Sequence, residues 1–170
     1  MSETRDRIHD HVATHPGRHF NALVRALDLA PGQVQYHLKR LKREDAVVEE
    51  RCHGRTHYFT SGYDVRDRRT IAVLRRETAR DTLVYLLEAG ASDPATVVDA
   101  LGIARSTLEW HLDRLVEQGL VEKRRDARNR VTLAVVDPER AVGLLAEITP
   151  SPSDRMIDRF TRLVDDLLSE

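Results

Sequence analysis

The strongest constraint on this chain is that it matches itself. Residues 23–30 (LVRALDLA) fall on residues 97–104 (VVDALGIA), His37-Leu38 on His111-Leu112, Leu41 on Leu115 and Val47 on Val121, all at an offset of 74. One offset held over about 30 residues implies two copies of a single module. Upstream the register drifts by one, where Arg5-Asp6 resembles Arg80-Asp81, so the first helices are expected to differ by a small insertion. A chain of 170 residues has room for two modules of about 60 to 70 residues, each with a modest core, and a short extension.

In the first copy the pattern predicts an amphipathic helix over 3–14, a stop at Pro16-Gly17, and a second helix over 20–27 with Phe20, Leu23, Val24 and Leu27 on one face. Asp28 begins a tight turn, Pro31 suits a first helical turn, and Val34, His37, Leu38 and Leu41 follow at helical spacing. The run AVVEERCHGRTHYFT then reads as two strands around a His53-Gly54 turn. The second copy predicts one long helix over 67–89, a helix from the Asp93-Pro94 cap to Leu101, a turn at Gly102, a third helix over 105–118 and a second hairpin in LVEKRRDARNRVTLAVV. Further helices are expected from Asp137-Pro138 to about Ile148 and over 152–168. Helix, helix, turn, helix and hairpin is the order of a winged helix. The expected fold is mainly α with small β-hairpin wings (α+β): two tandem winged helix-turn-helix domains plus C-terminal helices. The expected boundaries are 1–62 for the first domain, 63–136 for a linker helix and the second domain, and 137–170 for the extension.

Composition narrows the function classes. With 41% apolar and 32% charged residues, the signs intermixed, the chain is expected to fold rather than stay disordered. No apolar run approaches the roughly 18 residues of a membrane span, and the N-terminus MSETRDRIHDH is charged where a signal peptide is apolar, so a cytoplasmic protein without a membrane partner is expected. Cys52 is the one cysteine, which excludes an intrachain disulfide and an all-cysteine zinc site. A Gly-rich phosphate loop, a metalloprotease helix motif and a nucleophile elbow are all missing, so neither an enzyme nor a cofactor is expected. The net charge of -1 is an average. Residues 1–70 hold 13 Lys and Arg against 10 Asp and Glu, residues 71–130 balance at 10 each, and residues 131–170 hold 4 against 8. Anion-facing and partner-facing roles are therefore expected in different parts of the chain.

Two segments, GQVQYHLKRLKREDAVVEE and STLEWHLDRLVEQGLVEKRRD, resemble the recognition helix and first wing strand of winged helix-turn-helix regulators of the ArsR-like superfamily. The shared element is a His-Leu pair in the third helix, a leucine three residues on, a turn, a small apolar pair and a charged wing. The tandem arrangement is similar to that of two-winged-helix transcriptional regulators of archaea, haloarchaea in particular. The resemblance covers residues 5–60 and 80–136 and implies binding to double-stranded DNA.

In such a motif the third helix lies in the major groove. With Val34, Leu38 and Leu41 inward, helical geometry turns Gln33, Tyr36 and Arg40 outward and leaves Gln35 and Lys39 at the margins. Gln pairs with the adenine edge and Arg with the guanine edge, so Gln33, Gln35, Tyr36 and Arg40 are the base-reading candidates. Lys39, Lys42 and Arg43 are assigned to phosphates, with Arg51 and Arg55 of the first wing, Arg105, and Lys123, Arg124, Arg125, Arg128 and Arg130 of the second wing. A solvated polar face, and a basic wing paired with the acidic tail, are the plainer alternatives. Glu109, Asp113 and Glu117 make the third helix of copy two a poor partner for phosphate. Ser106 and Glu109 read as a capping box. Copy one is expected to read sequence and copy two to contribute its wing or serve in assembly. His37 and His111 are expected to hydrogen-bond to a neighbouring helix.

Two rival functions remain open at this level: a protein-interaction or assembly factor touching the transcription machinery, and a thiol- or metal-responsive regulator built on Cys52, His53, His57 and the histidines of the first helix. The paired-cysteine metal site of the ArsR-like superfamily has no counterpart here. In the tail, Met156, Ile157, Phe160, Leu163, Val164, Leu167 and Leu168 form a wide helical stripe that fits a homodimer interface or a cover for the 67–89 helix. Dimerisation is the reading adopted. Light scattering checks it: Phe160→Glu/Leu163→Glu converts a dimer to monomers, and an unchanged dimer removes this segment from the interface.

Overall fold

The structure is a computed structural model and describes residues 2–148. Its elements are α1 (Glu3–Thr14), α2 (Phe20–Leu27), α3 (Pro31–Arg43), β1 (Val47–Cys52), β2 (Arg55–Thr60), α4 (Val65–Leu74), α5 (Glu77–Ala89), α6 (Pro94–Leu101), α7 (Arg105–Glu117), β3 (Val121–Arg125), β4 (Val131–Val135) and α8 (Pro138–Ile148). The strands form two separate antiparallel hairpins, so the fold is the mainly helical α+β winged-helix arrangement expected from the residue pattern. The segment 149–170, with the whole apolar stripe from Met156 to Leu168, lies outside the described residues.

The repeat is structural. Helices α2 and α6, and α3 and α7, start and stop 74 residues apart, and α1 and α5 also start 74 apart. The expected insertion near the first helices is therefore absent from their starts; α5 simply runs one residue longer into a shorter connection. Corresponding positions carry corresponding packing: Ile8, Val12, Leu23, Val34, Leu38, Leu41 and Val47 are buried in one core, and Thr82, Leu86, Val97, Leu108, Leu112, Leu115 and Val121 are buried in the other. Thr82 fits an apolar position because its hydroxyl donates to the Thr78 carbonyl at 2.7 Å within the helix. Asp28 and Gly102 both end a helix in the left-handed conformation, as do Asp45 and Gly119 after the third helices.

The expected continuous helix over 67–89 is two helices, α4 and α5. The chain is extended at Arg76 (φ -80°, ψ 123°), which is the N-cap of α5. Nothing in the local sequence breaks a helix there; tertiary anchors do. Arg75 Nε and Nη2 donate to the Pro16 carbonyl at 2.9 and 2.7 Å, its Nη1 reaches the Ile148 carbonyl at 3.3 Å, and Arg76 Nη2 donates to the His53 carbonyl at 2.8 Å. Helix α4 joins the modules. Its residues Thr70 to Leu74 are all buried, and Ile71, Val73 and Leu74 share the second core with Phe59 of the first hairpin. Helix α8 packs Ala141, Leu144 and Ile148 into that same core.

The connection between α1 and α2 is pinned to the first hairpin. Gly17 N–H donates to the Tyr58 carbonyl at 2.8 Å, Tyr58 N–H donates to the Arg18 carbonyl at 3.1 Å, and His57 Nδ1 donates to the Gly17 carbonyl at 2.6 Å. The second module keeps a shorter version, a two-way bridge between Ser92 and Leu133. Gly17 has φ +80°, and a Cβ there would lie 2.7 Å from Ile71 Cγ2 and 3.1 Å from the Phe59 ring.

Two outcomes follow from this packing. Gly17→Ala combines a left-handed backbone with a clash against buried side chains, so urea unfolding should show a loss of about 2–4 kcal/mol. Burial depresses the pKa of His57, and burial followed by the charge of Arg55 lowers that of His19 from 6.5 to about 4. The fold holds both imidazoles neutral, and unfolding lets them take up protons. Stability is therefore complete above about pH 6.5 and falls as pH drops toward about 4. Urea midpoints across that window should show the decline, and His19→Asn should flatten part of it.

Candidate nucleic-acid interface

Helix α3 begins at Pro31, whose fixed φ suits the first turn, and buries Val34, Leu38 and Leu41 against α1 and α2. That packing turns Gln33, Gln35, Tyr36, Lys39, Arg40 and Arg43 to solvent, as the helical spacing requires. Tyr36 and Arg40 form a unit: Arg40 Nη1 donates to the tyrosine hydroxyl at 3.0 Å, and the ring is 55% exposed. Gln33 is less free, because its Oε1 accepts the Ala30 N–H at 3.4 Å and caps the helix. Lys42 pairs with Glu49 of β1 at 2.8 Å. Gln35 lines a cleft of about 420 Å³ together with His19, Asn21, Gly54, Arg55 and Thr56. The outward face of α3, the start of α2 and the first wing thus meet at one place.

The first wing is a tight hairpin. Cys52 pairs with Arg55, and the two residues between them, His53 and Gly54, both have positive φ (47° and 79°), the geometry of a type I′ turn. Arg51 and Arg55 are exposed on it. Its tip leans on the second module: the His53 ring lies 5.9 Å from that of Trp110, edge to face.

The second module carries the same scaffold with different chemistry. Trp110 and Arg114 stand where Tyr36 and Arg40 stand in the first, the guanidinium 4.1 Å from the indole centre, and Arg76 adds a second cation at 5.0 Å. Trp110 is 37% exposed and in contact with the first wing, so this face of α7 is less open than the Tyr36 face of α3. Tyr36 and Arg40 are both base-reading candidates by helical spacing; what spacing alone misses is their contact and its counterpart Trp110/Arg114, although an aromatic residue followed four residues later by arginine recurs at the repeat offset.

The basic cluster of the second wing is substantially paired. Lys123 Nζ lies 2.9 Å from Glu109, Arg124 2.6 Å from Glu122 and Arg130 2.8 Å from Asp126, while Arg125 donates to Asn129 Oδ1 at 3.1 Å. Its partners are carboxylates of its own hairpin and of α7 and the amide oxygen of Asn129. Asp126 also accepts the N–H groups of Arg128 and Arg130, which organises the loop. Arg105, the first residue of α7, pairs with Glu109 at 3.0 Å. The expected capping box is not formed: Ala104 is the N-cap, so Ser106 lies inside the helix, and Glu109 instead joins Lys123 and Arg105, which hold its carboxyl below the usual range.

His37 and His111 also depart from expectation. Their Nδ1 atoms are buried without a hydrogen-bond partner, and the rings instead sit edge-on to Tyr36 and Trp110 at 5.1 and 4.9 Å. Cys52 is half-buried, and that burial raises its thiol pKa, away from the thiolate a reactive cysteine presents. Among the described residues no group of three or more His, Cys, Asp or Glu could hold a metal ion, and no helix is long and apolar enough to cross a membrane.

Among known proteins, an uncharacterized HTH-type transcriptional regulator of Methanocaldococcus jannaschii is 24% identical over 131 residues, which is 77% of this chain and 33% of that protein. The chain thus spans a third of the length of that curated relative. Reduced AbfR bound to DNA is similar over 82% of this chain and 94% of its own, with 14% identity and a TM-score of 0.45. Reduced HlyU from Vibrio cholerae is similar over 51% and 90%, with 20% identity and a TM-score of 0.43. A family model described as an N-terminal HTH domain matches residues 2–71, the span from α1 into α4.

Proposed function

We propose that this protein is a sequence-specific regulator of transcription that binds double-stranded DNA, with α3 in the major groove. The observation that carries the reading is the outward face of α3, placed beside Arg55 and the start of α2 in one cleft, within the span that matches the HTH domain. Gln35 and the Tyr36/Arg40 pair read bases; Gln33, already used as a cap, contributes less. Lys39, Arg43, Arg51 and Arg55 contact phosphates. Arg128, exposed on the second wing, joins them, and Lys42, Arg105, Lys123, Arg124, Arg125 and Arg130 supplement them where DNA phosphates displace their present partners. Such displacement gives up a surface ion pair worth about 0–1 kcal/mol and gains a charge-assisted bond to phosphate.

The second module is the weaker reader. The α7 position equivalent to Tyr36 is partly occupied by the His53 ring of the first wing, and Glu109 and Asp113 lie beside it. Its role is to contribute its wing and to fix the position of the first hairpin. A homodimer formed through residues 156–167 would present two copies of α3 to a palindromic site.

The test is affinity for genomic fragments over a salt series. Gln35→Ala and Arg40→Ala should each cost about 1–3 kcal/mol of discrimination between specific and non-specific sites. Arg124→Ala/Arg125→Ala/Arg128→Ala should weaken all sequences alike and lower the salt slope by up to about 3. Equal loss on specific and non-specific DNA in the α3 variants would remove α3 from base readout.

A further inference from the structure

A cleft of about 720 Å³ lies between the two modules, adjoining the α3 cleft through His19, Asn21, Gly54 and Arg55 but reaching away from α3 to the α4–α5 junction. Arg25 of α2 and Arg55 of the first wing approach it from one side, Arg75 and Arg76 from the α4–α5 junction, and His19 and His111 complete its walls. Glu77 is the single carboxylate among its lining residues. The ion pairs formed among the described residues use none of these four arginines. The guanidinium of Arg75 is committed to the Pro16 and Ile148 carbonyls and that of Arg76 to the His53 carbonyl, so both charges are held in place by neutral acceptors.

Positive charge gathered this way is costly unless an anion meets it. The crowding shows in groups that line the cleft: Arg76 is lowered by burial and then by Arg55, and His19 by burial and then by Arg55, with Arg25 and Arg76 adding to it. Rigid guanidinium forks suit an oxyanion with several acceptor oxygens, and phosphate matches them better than a carboxylate or chloride. Helix α5 adds to this. Its N-cap makes no side-chain hydrogen bond, and Glu77 and Thr78 of its first turn line the same cleft.

We propose that the cleft between the modules is a phosphate-binding site in which Arg25 and Arg55 supply the mobile donors and Arg75 and Arg76 the fixed charge. An occupant would tie α2 and the first wing to the α4–α5 junction. Phosphate can reach the cleft free, as an inorganic ion or phosphomonoester, or as part of a DNA backbone. The second source rests on the reading above and the first does not.

The experiment has two arms on the full chain. Calorimetric titration with inorganic phosphate, against chloride at matched ionic strength, should give saturable binding that weakens about tenfold or more in Arg25→Ala/Arg55→Ala. Arg66→Ala, at an exposed arginine of α4 outside the cleft, should leave it unchanged. Both arginines of the first variant are exposed and outside the cores, and equal melting curves confirm its fold. In the second arm, Arg25→Ala should lower the salt slope of DNA binding by about 1 if the phosphate comes from the backbone. Phosphate binding that survives the double variant overturns the proposal. So does the absence of phosphate binding together with an unchanged DNA slope. Should the wild-type chain bind no DNA, the phosphate titration decides alone.

Discussion

The arrangement of the molecule depends on three residues between α1 and α2. The Pro16 carbonyl takes two bonds from Arg75, the Gly17 carbonyl one from His57, and the Gly17 and Arg18 backbones pair with Tyr58. A connection that would ordinarily satisfy its backbone with water satisfies it with the first hairpin and with the α4–α5 junction. Bonds of this kind contribute about 1 kcal/mol each, and somewhat more from a charged donor. Their larger effect is geometric. They hold the hairpin, the first three helices and the start of the second module in one relation, with Phe59 of the first hairpin buried in the second core.

Most of the scaffold was legible in the residues. The repeat offset, the apolar spacing and the punctuation at Pro16, Asp28, Gly54, Asp93 and Gly102 place every described helix and both hairpins to within a residue or two, apart from the junction of α4 and α5. That junction is invisible locally, because Arg75 and Arg76 are adequate helix formers and the break is set by carbonyls up to 73 residues away in sequence. The outward set on α3 was legible for the same reason as the core, since both follow from one helical period. What spacing does not report is which charged side chains meet. Glu109 fits a capping box by distance along the chain, yet the helix starts two residues too early for it, and Lys123, brought over by the hairpin, takes the carboxylate instead.

The two modules show how one backbone plan supports unequal surfaces. Tyr36 and Arg40 stand open, whereas Trp110 at the matching position also meets Arg76 and His53. The larger indole and the extra cation make α7 a platform for a neighbouring hairpin. The depressed pKa of His53 and His111, caused by burial and then by arginine, belongs to the same cluster.

The hairpin tips carry a final consequence. The first turn has two residues, both with positive φ, and its tip is wedged against an indole; the second is a loop over 126–130 gathered around one aspartate and exposed throughout. Lengthening the first turn would drive its tip into the neighbouring module, so that hairpin is closed to insertion. The second can accept added residues at its apex without disturbing either core, so its length and charge can be varied independently of the fold.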